Sequence, residues 1–296
     1  MLERYRDSTV YTKEMKSRSL KELVLAEGAL AHLFERYGID YACHGNVSLE
    51  AACTQRGLNT DTVLSEMDKL KLARPYSFLH GDLWDEEFLV EYIVENHHRY
   101  CHATIPMLLE QLSKLCEAGA PLNGTRVPGD RYAFVKPVLF LFQRAAHEIE
   151  QHMRKEEMIL FPYIKSLASA REFGRRRPLA PFLTLDGPVA KMEEEHIEIA
   201  QVFAKIRGLL SDFVIPEHAS PMHIAVITGM QAFINDLHQH VHLENNLLFP
   251  RARALEEKFD KRTGLPLESR AAVSPASNRA MAYAGGSFNG TRGRAS

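Results

Sequence analysis

The chain has 296 residues, 45% of them hydrophobic and 25% charged, with a formal net charge of −2. That is an ordinary globular composition with ample length for a core, and the near-neutral balance carries no footprint for nucleic acid. No apolar run approaches the ~20 residues that span a bilayer, so neither nucleic acid nor a membrane is an expected partner.

The opening segment, MLERYRDSTVYTKEMK, has no apolar stretch of the kind a secretory leader needs. Four cysteines, Cys43, Cys53, Cys101 and Cys116, lie far apart and form no CxxC pair. This argues against a disulfide scaffold or a thiolate zinc site, and a cytoplasmic location is expected.

In chain order, residues 1–18 read as a polar lead. A small helical domain is expected over 19–74: a helical segment to Tyr37, the break GIDYACHGN, then SLEAACTQRG with Ser48 as an N-cap, then NTDTVLSEMDKLKLA. Pro75 and Gly81 mark a linker at 75–82. From 83 to 258, four segments carry apolar residues at helical spacing, roughly at 84–118, 131–169, 188–213 and 221–258. The expected fold is therefore all-α, an up-down four-helix bundle behind a small helical domain. The polar, glycine-rich tail at 259–296 is expected to be disordered.

The bundle repeats itself. HMRKEEMILFP (152–162) and HVHLENNLLFP (240–250) both read His, three residues, Glu, then an apolar run ending in Phe-Pro. VEYIVENHHRY (90–100) aligns without gaps to VAKMEEEHIEI (189–199), setting His97 opposite His196. Residues i and i+4 share one face of a helix, so His152 with Glu156, and His240 with Glu244, can aim at one point. Bare carboxylates in a bundle core are costly to desolvate, and cations remove that cost. Four imidazoles (His97, His152, His196, His240) and two carboxylates (Glu156, Glu244) suit two metals with the glutamates bridging. A nitrogen and oxygen set without thiolate favours iron, then manganese.

Glu148 and Asp236, four residues before His152 and His240, are candidates to orient those ligands, and Glu195 is another. Phe161 and Phe249 are expected to wall the site. His98 with His102, and His238 with His242, lack counterparts in the other half and read as surface or supporting residues. His32, His80, His147, His218 and His223 carry no functional reading. Cys43 is either a structural thiol or a redox or transfer thiol.

The small domain, with DYACHG and SLEAAC, and the bundle, with HMRKEE, EEEH and HVHLENNLLFP, resemble the repair-of-iron-centres (RIC) di-iron family over residues 19 to 258. The resemblance implies a hemerythrin-like bundle and an oxo- or hydroxo-bridged pair of iron ions on His97, His152, Glu156, His196, His240 and Glu244. It implies a role in nitrosative and oxidative stress: restoring iron-sulfur clusters by iron donation, binding nitric oxide, or both, with nitric oxide reductase-like activity in view. Small ligands would be nitric oxide or dioxygen, acceptors iron-sulfur proteins, and the assembly a homodimer. That family usually carries two adjacent cysteines and then two glycines; here Ala42 precedes Cys43 and His44 replaces the first glycine. The alternatives are a hemerythrin-type oxygen carrier or sensor and a di-iron oxidase or peroxidase.

Overall fold

The computed structural model describes residues 8–73, 84–118, 133–260 and 263–267, and there the chain is helical. The expected linker, the loop after Gly119, most of the tail and His80 lie outside the described residues.

The small unit holds α1 (Ser8–Ser17), α2 (Leu20–Ala26), α3 (Leu30–Arg36), α4 (Leu49–Gln55) and α5 (Thr60–Ala73). The described part of the stretch read as a polar lead, residues 8–18, is thus largely helical, and Met15 is buried in the core of this unit. Caps start the short helices. Ser19 accepts from Glu22 N while the Glu22 carboxylate accepts from Ser19 N, and Ser48 accepts from Ala51 N as its sequence position predicts. The break between α3 and α4 is pinned to the start of α2 by Leu20 N to Val47 O and Lys21 N to Gly45 O, both 2.9 Å.

Four long helical rods follow. The first is α6 (Glu86–Tyr92), a π segment π1 (Ile93–His98) and α7 (Arg99–Ala118). The second is α8 (Val135–Lys155), π2 (Glu156–Leu160) and α9 (Phe161–Glu172), the third α10 (Asp186–Leu209) alone. The fourth is α11 (Pro221–Leu243), π3 (Glu244–Leu248) and α12 (Phe249–Glu256). The start of α10 packs with the ends of the second and fourth rods, as does the start of the first. Neighbouring rods therefore run antiparallel, which makes the expected up-down bundle.

The two repeats explain π2 and π3. Pro162 and Pro250 cannot donate the N–H that the residue four back would receive in an α-helix. The preceding turn widens, and Phe161 N bonds Glu156 O while Phe249 N bonds Glu244 O. Each widened turn begins at the repeat's glutamate, and such π segments are common at functional sites.

Two apolar clusters fill the bundle. One is built around Phe142, Phe203 and Phe233, the other around Phe161, Leu185 and Phe249. Between them lies a polar layer of histidines and glutamates.

Candidate metal centre

Glu156 and Glu244 sit in that layer with no exposure to solvent. His98, Glu156, His240 and Glu244 form one set of four donors, and His152, Glu156, His196 and Glu244 another, with the donor atoms of each set within 4.8 Å of one another. Both glutamates belong to both sets. The Nε2 atoms pair between neighbouring rods, His152 to His196 at 2.9 Å and His98 to His240 at 3.1 Å. Glu244 Oε1 lies 2.9 Å from His240 Nε2, and its Oε2 lies 3.1 Å from His196 Nε2.

The other ring nitrogens show what belongs in the gaps. His152 Nδ1 donates to Glu195 Oε2 at 2.9 Å, and His98 Nδ1 donates to Glu157 Oε1 at 2.7 Å. His196 Nδ1 donates to Asn245 Oδ1 at 2.9 Å. An imidazole that spends its proton on Nδ1 turns a bare lone pair outward on Nε2. His152 and His196 thus aim two lone pairs at each other over 2.9 Å, which only a cation or an added proton relieves. Among the described residues, both oxygens of Glu156 and Glu244 Oε2 are buried without a hydrogen bond, the state of carboxylates that await a cation. The donor set therefore fits metal ions.

Charge in the layer agrees. Burial alone would push His98 and His152 down, yet Glu156 and Glu244 outweigh it and hold both up at about 10. Burial and mutual repulsion would raise Glu156, and burial would raise Glu244, but the surrounding imidazoles keep both ionised. Protons on His98 and His152 stand where cations would.

Sequence expectation and geometry part at His97. The gapless alignment sets His97 opposite His196, but π1 contains a widened turn that α10 lacks, which slips the register by one residue. His98, expected to be a surface or supporting residue, takes that place, 3.5 Å from Glu156 Oε2 through its Nε2. His97 is buried beside the cluster, its ring stacked on His240 and its Nδ1 3.0 Å from Asp236. Local periodicity could not show this, because π1, unlike π2 and π3, is followed by no proline that would mark the widened turn.

Three supporting assignments also change or hold. Glu195, the residue before His196, does support His152, and Lys155 holds it in turn. Asp236 supports His97 rather than His240, whose Nδ1 is buried with no hydrogen-bond partner among the described residues. Glu148 lies on the outer face of α8 and pairs with Arg144 at 3.5 Å, so it does not reach the site. Glu157 and Asn245, at equivalent places in the two repeats, were missed; each directly follows a repeat glutamate. Phe161 stacks on His98 and Phe249 on His196, walling the layer symmetrically as expected.

Of the remaining histidines, His242 is buried against Tyr41, and burial pushes it down to about 4, so it stays neutral. His102 and His147 face solvent. Cys43 is half-buried, and burial together with Asp40 pushes its thiol up, the opposite of activation. No helix among the described residues is long and apolar enough to cross a membrane.

An antiparallel helical bundle with a buried layer of imidazoles and carboxylates defines the hemerythrin class, and the chain belongs to that family: the hemerythrin HHE cation binding domain matches residues 90–252. The small unit matches ScdA_N, a domain of unknown function (DUF542), over residues 16–71. The iron-sulfur cluster repair protein YtfE of Yersinia pseudotuberculosis serotype O:1b (strain IP 31758) is 29% identical over 242 residues, covering 81% of this chain and 98% of the relative. The YtfE protein of Yersinia pestis (strain Pestoides F) is similar to the same extent. The two-domain resemblance read from the sequence is borne out by these matches.

Proposed function

We propose that the chain is a di-iron protein that takes part in repairing iron-sulfur clusters, with His98, His152, Glu156, His196, His240 and Glu244 as the ligands. The observation that carries the reading is the pair of facing Nε2 contacts, 2.9 and 3.1 Å, flanked by two fully buried glutamates. Two donor sets that share both glutamates call for two cations, and nitrogen and oxygen donors without thiolate suit iron. The names of the relatives, and their coverage of both units, support a repair role.

Iron bound here would supply a redox-active centre that can accept a small ligand such as nitric oxide and can be given up to an acceptor. The chain's own residues do the rest. Glu157, Glu195 and Asn245 fix the ring orientations, as groups behind metal-bound histidines do. Phe161 and Phe249 keep water from the layer. The reading places the protein in the cytoplasm under nitrosative or oxidative stress, with an iron-sulfur protein as acceptor.

The test is metal analysis and Mössbauer spectroscopy on protein purified anaerobically, followed by nitric oxide addition to the reduced form and transfer to an apo iron-sulfur protein. Two coupled irons per chain, a spectral change with nitric oxide and cluster rebuilding in the acceptor are expected. One metal per chain, or zinc alone after iron-replete growth, contradicts the reading.

A further inference from the structure

Among the described residues, the small unit reaches the metal layer by a short path through Asn245. Asn245 stands in π3 where Glu157 stands in π2, and each accepts from a histidine Nδ1. The two differ chemically. Asn245 also donates, from Nδ2 to Ala42 O at 3.5 Å, in the loop between α3 and α4. Ala42 O can only accept, which fixes the amide with Oδ1 toward His196. A carboxylate at 245 could accept from His196 but could not hold Ala42.

Asn246 reinforces the contact, donating from Nδ2 to Tyr41 O at 3.3 Å and Ala42 O at 3.2 Å. Gly45 makes the close approach possible: a Cβ there would lie 2.5 Å from Asn246 Oδ1 and 2.9 Å from Tyr41 O. The loop is stiff, because Asp40 Oδ1 accepts from Ala42 N at 3.1 Å and Cys43 N at 2.9 Å, and Gly45 O accepts from Lys21 N at 2.9 Å. A displacement at Gly45 is therefore passed on to Ala42.

We propose that Asn245 is a positioning residue that couples docking of the Tyr41–Gly45 loop to the His196 side of the metal centre, so that lifting the loop loosens the cation held by His152 and His196. The inference rests on the metal reading above. With Ala42 in place the amide has one orientation. Without it the amide is free to turn, and His196 loses its fixed acceptor. The His98 side keeps Glu157, which owes nothing to the loop.

The test uses the full chain loaded anaerobically with ferrous iron, as wild type and as Gly45→Ala, Asn246→Ala and Asn245→Asp variants. Alkylation of Cys43 by iodoacetamide reports loop opening, and a ferrous chelator reports iron release. Gly45→Ala and Asn246→Ala should speed Cys43 alkylation and release one of the two irons about tenfold faster, the lower end of what a lost supporting contact costs a metal site. The combined Gly45→Ala/Asn246→Ala chain serves as the open-loop state if either exchange alone is absorbed. In the Asn245→Asp background, whatever its own release rate, Gly45→Ala should add no further acceleration. An opened loop with both release rates unchanged, or equal acceleration by Gly45→Ala in both backgrounds, overturns the coupling. Wild-type protein that holds fewer than two irons would instead overturn the metal reading.

Discussion

Nε2 of His98 stands 3.1 Å from Nε2 of His240 on the neighbouring fourth rod, while the adjacent His97 turns Nδ1 to Asp236. The adjacent residues therefore differ in role. His98→Ala should lose iron, with at most one metal per chain left after gel filtration. His97→Ala should keep two, since only a ring stacked on His240 is removed and Asp236, which lies outside both donor sets, loses its partner. Equal losses in the two variants would mean that the π1 register is misassigned.

Glu195 and Glu148 form a second contrast. The carboxyl of Glu195 is held down at about 2 by its hydrogen bond to His152, with Lys155 adding to the effect against burial. Glu195→Ala should weaken metal binding by roughly 10- to 100-fold in competition with a chelator, the usual cost of losing such a partner. Glu148→Ala removes only an outer ion pair with Arg144 and should leave the competition curve where it was.

Metal loading should expel protons. In the metal-free protein His98 and His152 are held up at about 10, above the ordinary 6.5, so both are charged at neutral pH. The stability their ion pairs contribute is fully present below about 6.5 and is lost as pH rises through about 10. A cation must displace those protons, so its apparent affinity should rise with pH up to about 10. Calorimetric titration of apo protein with ferrous iron, in two buffers of different ionisation enthalpy, reads the protons directly. A heat independent of buffer would contradict this. Chelating the metal should lower the melting temperature, because a ligand bound only to the folded state at about 1,000 times its Kd contributes about 4 kcal/mol.

Cys43 should be a slow nucleophile. Burial and Asp40 push its thiol up, so little thiolate forms at pH 8, where a free cysteine of pKa about 8.5 is substantially ionised. Iodoacetamide should modify Cys43 in the folded protein well below the rate seen after denaturation. A rate at or above the denatured value would revive the redox reading of this thiol.

The sequence by itself determined the all-α bundle, because four amphipathic segments with breaker-rich connections have few other ways to bury their apolar faces. It also determined five of the six side chains that meet in the polar layer: His-x-x-x-Glu written twice fixes the direction of four on any α-helix, and the aligned segments of the other two rods add His196. Tertiary structure decided the sixth. The choice between His97 and His98 depends on a widened turn in π1, a departure of one residue that apolar periodicity over a long helix averages away. The supporting shell was likewise decided in three dimensions. Glu195 meets His152, and Asn245 meets both His196 and Ala42, only because separate rods and the small unit converge on one level. Those contacts join residues 43, 49 and 203 positions apart, distances over which local spacing carries no information about pairing.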